Sequence, residues 1–112
     1  DNSFLTWLAI QGCGQLDLRT IATCRGLEYL FVIGNQTDTT LSDLVGLERL
    51  KEISLERCKV QVKVMNLKGA MPFLEKINIS GLQEDQALEL SRVNTGLSVS
   101  TGRHTYLNGG RS

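Results

Sequence analysis

The sequence predicts one α/β domain in which short strands and helical return segments alternate and stack as a solenoid. A nine-residue word, L-x-x-[LI]-x-[LIV]-x-x-[NCL], begins at Leu5, Leu27, Leu50 and Leu74, so its copies start 22, 23 and 24 residues apart. Such a period is typical of repeat proteins, whose units bury their apolar faces only by stacking on one another. Between the words, apolar residues recur every three residues, which favours short helical turns.

Each copy of the word predicts a short strand whose first, fourth and sixth side chains face the core. The copies read LTWLAIQGC, LEYLFVIGN, LKEISLERC and LEKINISGL, and all twelve of these positions hold Leu, Ile or Val. Stacked copies therefore predict a parallel sheet with ladders of aliphatic side chains. A fifth, degenerate copy is predicted with Asn94 at the first position, Leu97 at the fourth and Val99 at the sixth.

The segments between the words predict the return half of each unit. Helical or 3₁₀ turns are expected where apolar residues recur every three positions: Leu18, Ile21, Cys24 and Leu27, then Leu41, Leu44, Leu47 and Leu50. Thr40 and Asp43 have the spacing of a capping box. Gly26, Gly46 and Gly69 lie near the ends of the returns, where glycine can take positive φ. In the third return, Val60 and Val62 alternate with polar residues, which predicts an extended segment.

The word and its period resemble the leucine-rich repeat family, and the resemblance covers residues 5–101. It implies a right-handed arc of about five coils with a parallel sheet on the concave side. The repeat domain is expected to span residues 1–102, with coils that start near 5, 27, 50, 74 and 94. Residues 103–112 are expected to form a flexible C-terminal tail. The family implies a way of binding but names no reaction.

The candidate binding residues are those that point off the concave sheet, at the second, third, fifth, seventh and eighth positions of the word. Coils one and two place an apolar cluster there, made of Trp7, Tyr29, Phe31 and Ile33. Aromatic anchors of this kind dominate protein interfaces. Coils three and four present a mixed charged rim that is expected to orient a partner, made of Glu52, Glu56, Arg57 and Lys76.

Two other interpretations of the apolar cluster remain open. Preceding repeats, a cap or another subunit can cover it permanently, because large apolar patches mark constitutive interfaces as well as regulated ones. A register error would instead make these residues part of the core. The chain begins at Asp1 rather than Met and enters a full repeat at Leu5, so we expect a processed product or a piece of a larger protein, with uncapped ends open to further repeats or another subunit.

Composition argues against nucleic acid and acidic membranes as partners but does not choose a partner. Twelve basic and twelve acidic residues cancel and are mixed along the chain, so direct contact with nucleic acid or acidic membranes is not expected. No stretch approaches the roughly 18 apolar residues of a membrane helix. One alternative is a structural subunit of a ribonucleoprotein whose exposed aromatics stack on RNA bases. Another is an extracellular recognition fragment, although the disulfide caps usual in secreted repeat proteins are missing from the sequence.

The sequence carries no pattern of catalytic or metal-binding residues, so neither catalysis nor a cofactor is expected. His104 lies in the predicted tail, and the three cysteines, Cys13, Cys24 and Cys58, fall at interior positions of the repeat, so no cysteine–histidine pair is predicted. Glu52 and Glu56 are interleaved with cations and are expected to form a solvated face rather than an acid–base pair. The odd cysteine count and unpaired spacing favour free thiols and an intracellular, cytoplasmic location.

Overall fold

The computed structural model describes residues 4–12, 18–34, 39–62 and 66–111. The strands are β1 (Trp7–Gln11), β2 (Tyr29–Ile33), β3 (Thr39–Thr40), β4 (Glu52–Glu56), β5 (Val60–Gln61), β6 (Lys76–Ile79), β7 (Ser98–Ser100), β8 (Thr105–Leu107) and β9 (Gly110–Arg111). The helices are α1 (Leu18–Ile21), a 3₁₀ helix (Leu41–Leu44), α2 (Leu67–Ala70) and α3 (Glu84–Val93). None of these helices is long and apolar enough to cross a membrane.

The fold is α/β and is organised around one mostly parallel sheet. Strands β1, β2, β4, β6 and β7 lie side by side in chain order and are parallel, and β8 and β9 add two antiparallel strands beyond β7. A second sheet pairs β3 with β5 between neighbouring returns. The extended segment predicted near Val60 is therefore present at Val60–Gln61.

The core lies between the main sheet and the returns, and the predicted inward positions are confirmed. Leu30, Ile53 and Ile77 occupy the fourth positions of the second, third and fourth words, align in register on adjacent strands and are fully buried. The first and sixth positions of the same words are also buried. In the first word, Leu5 and Leu8 pack against the core but are only half-buried, because β1 has one neighbouring strand among the described residues.

The first two returns adopt the predicted short helical turns, at α1 and the 3₁₀ helix, but the termini of the returns differ from the prediction. Thr40 occupies the N-cap of the 3₁₀ helix without a side-chain capping hydrogen bond; its hydroxyl instead accepts one from Ser42. The capping-box prediction is therefore wrong. Gly26, Gly46 and Gly69 do not have positive φ; among the described glycines it occurs at Gly12, Gly34, Gly81, Gly96, Gly102 and Gly109. Among the described glycines, positive φ thus falls mainly at strand ends and turns, and Gly96, directly before Leu97, is the one that has it at the end of a return.

Strand β7 corrects the predicted register of the fifth copy. Val99 lies opposite Ile77 and so holds the fourth position rather than the sixth. The Leu97 N–H donates to the Asn94 carbonyl, as Leu27, Leu50 and Leu74 each donate to the residue three before them. Leu97 therefore starts this coil, which is one residue shorter. Apolar residues two apart fit either assignment, because the period of a strand is two.

Asn94 thus occupies a core position that is apolar in the preceding coils, where Cys24, Leu47 and Met71 stand. Its side chain is fully buried and bonded on both sides: Nδ2 donates to the Leu90 carbonyl at 2.9 Å, and Oδ1 accepts from the Lys68 N–H at 2.9 Å. The amide therefore links the end of α3 to the first turn of α2 in the preceding coil. Such a satisfied buried amide has a structural role.

The C-terminal segment, predicted as a flexible tail, is instead an ordered β-hairpin from residue 105 to residue 111. Asn108 and Gly109 form its two-residue loop, both with positive φ (53° and 80°), which suits the right-handed twist of the paired strands. Tyr106 is 1% exposed, and its strand packs against α3. The Gly109 N–H donates to the Ser91 hydroxyl of α3 at 3.0 Å. The expectation of a loose tail is therefore wrong, and this end of the core is closed by the chain itself.

Candidate functional site

The side of the main sheet that points away from the core carries the predicted site residues, and we call it the outer face. Its residues lie in columns set by the register of the parallel strands. One column runs Trp7, Tyr29, Glu52, Lys76 and Ser98; the next runs Ala9, Phe31, Ser54, Asn78 and Ser100; the third contains Gln11, Ile33 and Glu56. Adjacent residues in a column stand about 4.8 Å apart, the spacing of neighbouring strands.

The structure brings the four predicted apolar residues together on β1 and β2, and we call this group the aromatic patch (Trp7, Tyr29, Phe31 and Ile33). The rings of Trp7 and Phe31 contact each other, with centroids 5.7 Å apart and planes tilted by 46°. Trp7 is 57% exposed, and the other three side chains are half-buried. The patch is a preassembled apolar surface in contact with solvent, held on regular strands rather than on loops.

The four predicted charged residues border the patch without ion pairs to one another. Glu52 and Lys76 are neighbours in the first column, whereas Glu56 and Arg57 lie at the C-terminal end of β4. The ion pairs within the described residues involve other side chains: Lys51 with Glu28, and Arg92 with Glu89. Because no described side chain forms an ion pair with them, these four charges can contact a partner.

A second row of charge lies at the other end of the strands and is already neutralised. Lys51 Nζ lies 2.8 Å from a carboxylate oxygen of Glu28, the residue directly before β2. The hydrogen bond to Glu28 and the negative charge of that carboxylate raise the pKa of Lys51. Nearby, a shallow groove of about 340 Å³ is lined by Glu28, Arg49, Lys51 and Phe73. Phe73 is 58% exposed, and it was not predicted as a site residue because it precedes the first position of the word.

Arg57 has a backbone conformation that distinguishes it from the other predicted contacts. The eighth position of every word takes left-handed φ, at Gly12 (74°), Gly34 (82°), Gly81 (85°) and Arg57 (52°). A residue with a Cβ pays about 1–2 kcal/mol for that conformation, and glycine does not. The Arg57 N–H donates to the Ser80 hydroxyl at 3.1 Å. Strained residues cluster at functional sites, so the backbone strain of Arg57 beside the candidate binding face favours a role for its side chain in binding.

Replacing Arg57 by glycine should stabilise the protein relative to replacing it by alanine, by about 1 kcal/mol. Both changes remove the guanidinium, but only glycine removes the backbone strain. Urea denaturation of the two variants measures the difference. Equal stabilities would mean that the left-handed backbone at this position carries no strain.

A column of polar residues lies beside the patch and was not among the site residues predicted from the sequence. Asn78 Nδ2 donates to the Ser54 hydroxyl at 3.2 Å, whereas Asn78 Oδ1 is buried and accepts no hydrogen bond from the described residues. Ser100 continues this column opposite Asn78. An alignment of the fifth positions of the words shows Ser54 and Asn78, but Ser100 joins them only with the corrected register. An unpartnered buried acceptor costs about 1–3 kcal/mol, which a donor from a partner can offset once the amide rotates.

Among the residues that the structure describes, the cysteine and histidine side chains do not converge. Cys24 is buried in the core, and the half-buried Cys58 donates from its thiol to the Val32 and Glu56 carbonyls at 3.6 and 3.2 Å. Both are free thiols. His104 is exposed in the loop before β8. Within the described ranges, no three His, Cys, Asp or Glu residues cluster as metal ligands would. Cys13 and Asn35, which the word places with Cys58 at the ninth position, lie outside the described residues.

No protein-family model, curated protein or solved structure matches this chain. The interpretation of the outer face therefore depends on its geometry.

Proposed function

We propose that this protein is a non-catalytic binding module that holds a protein partner on its outer face. One observation carries the proposal: Trp7 packs against Phe31 on a regular sheet and yet leaves 57% of its surface in solvent. An aromatic cluster that is fixed before binding loses little conformational entropy when a partner covers it. Such clusters supply most of the binding energy at protein interfaces.

We further propose that the fold is a leucine-rich repeat solenoid of about five coils. Support comes from five parallel strands in chain order, of which β2, β4, β6 and β7 are each entered from a return at an equivalent turn. Parallel strands joined by crossovers are nearly always right-handed, which gives the arc its hand. In such an arc the outer face is the concave one. The free thiols of Cys24 and Cys58 support an intracellular location, where thiols stay reduced.

The unpaired charges are proposed to orient the partner rather than to hold it. Glu52 and Glu56 lie on β4, immediately beside the patch, with Lys76 on the next strand, β6, and Arg57 directly after β4. Exposed charges contribute little to affinity, but their arrangement fixes the approach and register of a partner. The patch is therefore the anchor and the charged rim sets the orientation.

Replacing Phe31 by arginine should abolish capture of the partner, with a loss of more than about 2 kcal/mol, or roughly 30-fold in affinity. Phe31 is the central ring of the patch, and a guanidinium there leaves the Trp7 ring without its neighbour. The measurement is a tagged pull-down from source-cell lysate, with and without nuclease, read by mass spectrometry.

Val45→Arg is the matched control, because it also replaces an exposed apolar residue by arginine but lies in the return after the 3₁₀ helix. Partners that are lost with Phe31→Arg and kept with Val45→Arg locate binding on the patch. If both variants keep the same partners, the patch is not the interface. A nuclease-sensitive set lost with Phe31→Arg would replace the protein partner by RNA, whose association would also fall steeply with salt.

Trp7 gives an independent measurement, because it is the single tryptophan of the chain. Its indole is partly exposed in the free protein. A captured partner should therefore protect Trp7 fluorescence from acrylamide quenching, and an unchanged quenching constant in the complex would move the interface away from β1.

A further inference from the structure

The two edge strands of the main sheet differ in length and in the residues they carry. The C-terminal edge, β9, has two residues, Gly110 and the charged Arg111. The N-terminal edge, β1, has the five residues WLAIQ, without charge, proline or glycine. Short charged edges resist pairing with another chain, whereas long, flat, apolar edges favour it. Among the described strands, β1 is therefore the edge that is open to a further strand.

The hydrogen bonds to β2 determine which backbone groups of β1 face the open edge. The Gly12 N–H donates to the Ile33 carbonyl at 3.1 Å, and the Thr6 carbonyl accepts from the Tyr29 N–H at 3.0 Å. In a parallel pair, alternate residues bond to the neighbour through both groups, so the even-numbered residues of β1 use theirs on β2. The N–H and C=O groups of Trp7, Ala9 and Gln11 therefore point to the open edge.

The core is also incompletely covered at this edge. Leu5, Leu8 and Ile10 pack against the core but are half-buried, whereas their counterparts in the second coil are fully buried. Phe4 is 98% exposed beside them. Covering this apolar end would remove further hydrocarbon surface from water, which is favourable by about 25 cal/mol per Å² of apolar surface buried.

We propose that two copies of this protein associate through β1, with the strands antiparallel about a two-fold axis at Ala9. Ala9 then lies opposite Ala9 of the second copy, Trp7 lies opposite Gln11, and Gln11 lies opposite Trp7. All three pairs are of the hydrogen-bonded kind, with Cα atoms about 5.5 Å apart, and together they form six backbone hydrogen bonds.

The strand is self-complementary in this register, which is why a second copy is the occupant. Residues directly opposite in an antiparallel pair point to the same face, so Leu8 covers Ile10 of the second copy on the core side. No charge faces a like charge, because the strand carries none. Pairing of the strands and the apolar end buries on the order of 1,000 Å² in total, the size of a weak and reversible dimer. The sheet would continue through the axis and place the two aromatic patches on one face.

Sedimentation equilibrium of the purified chain, from about 10 µM to about 1 mM, tests the proposal across the range of weak dimers. Ala9→Pro removes the central N–H of the open edge without removing a bond to β2, a position where proline is tolerated. Ala9→Thr is the matched control and keeps the N–H. The unmodified protein and Ala9→Thr should dimerise, with association at least about tenfold weaker in Ala9→Pro. A monomer throughout this range, or unchanged dimerisation of Ala9→Pro, overturns the proposal.

A charge pair tests the position of the axis even if Ala9→Pro fails to fold. Ala9→Lys and Ala9→Glu each place like charges opposite one another across the axis, so each variant alone should be monomeric. An equimolar mixture should form the heterodimer, because the charges are then opposite. Failure of the mixture to associate, or dimers of either variant alone, rules out an axis at Ala9.

Self-association is independent of the proposed partner on the outer face. Phe31→Arg changes that face but not the edge of β1, so it should dimerise normally. Capture that persists in Phe31→Arg contradicts the partner proposal alone, and dimerisation that persists in Ala9→Pro contradicts the self-association proposal alone.

Discussion

Replacing Tyr106 by alanine should lower the midpoint of thermal unfolding by more than about 10 °C, because truncation of a buried aromatic side chain typically costs about 3–5 kcal/mol. Tyr106 is 1% exposed and closes the C-terminal end of the core against α3. Calorimetry of the full chain measures the shift. A midpoint within about 2 °C of the unmodified protein would mean that the hairpin does not hold the core and that the segment is a tail after all.

Tyr106→Phe is the matched control, because it keeps the ring and removes only the hydroxyl.

Burial, and then the negative charge of Glu84, raise the pKa of Tyr106. The folded state therefore holds the phenolic proton more tightly than the unfolded state does. This contribution is fully present below the ordinary tyrosine pKa of about 10 and is lost as pH rises through the raised value. The unmodified protein should lose more stability than Tyr106→Phe in strong alkali, as urea denaturation across that range would measure.

Replacing Leu30 by alanine should lower the free energy of unfolding by about 3 kcal/mol. Leu30 is fully buried on β2, with Leu8 and Ile53 opposite it on the two adjacent strands. The lost side chain leaves a cavity shared by three coils, which regular strands cannot close by local movement. Urea denaturation measures the change.

Leu107→Ala is the control for Leu30→Ala, since it deletes the same atoms from a leucine that is 41% exposed. Its cost should stay below about 1 kcal/mol. Similar costs for the two variants would contradict the assignment of Leu30 to the inner ladder, and with it the assignment of Phe31 to the outer face.

The ladders and the outer columns could be predicted because period and burial act together. An aliphatic residue stands at the position of Leu30 in every word, so an error of one position would expose all the inward side chains of the strand. Phe31 then follows on the opposite face without further information. The short returns were predictable for the same reason, since Leu44 and Leu47 repeat the spacing of Ile21 and Cys24.

Prediction failed where one coil departs from the average of the others. Val99 lies two residues from Leu97, a spacing that fits two different strand positions, and only pairing with Ile77 decides between them. Asn108 and Gly109 carried a hairpin signal, but their position near the C-terminus suggested a tail. Arg57 was selected for its charge, although the glycines at the equivalent positions already indicated an unusual backbone there.

The half-burial of Leu8 links local stability to recognition. Each strand of the main sheet is stabilised by its contacts with the strands beside it, and β1 has one neighbouring strand among the described residues. Strand β1 therefore opens at a lower free energy than the strands in the middle of the sheet. Trp7 is carried on that strand, so a ligand that engages the indole selects the closed form, and its measured affinity is the intrinsic affinity reduced by the fraction of molecules in which the strand is open.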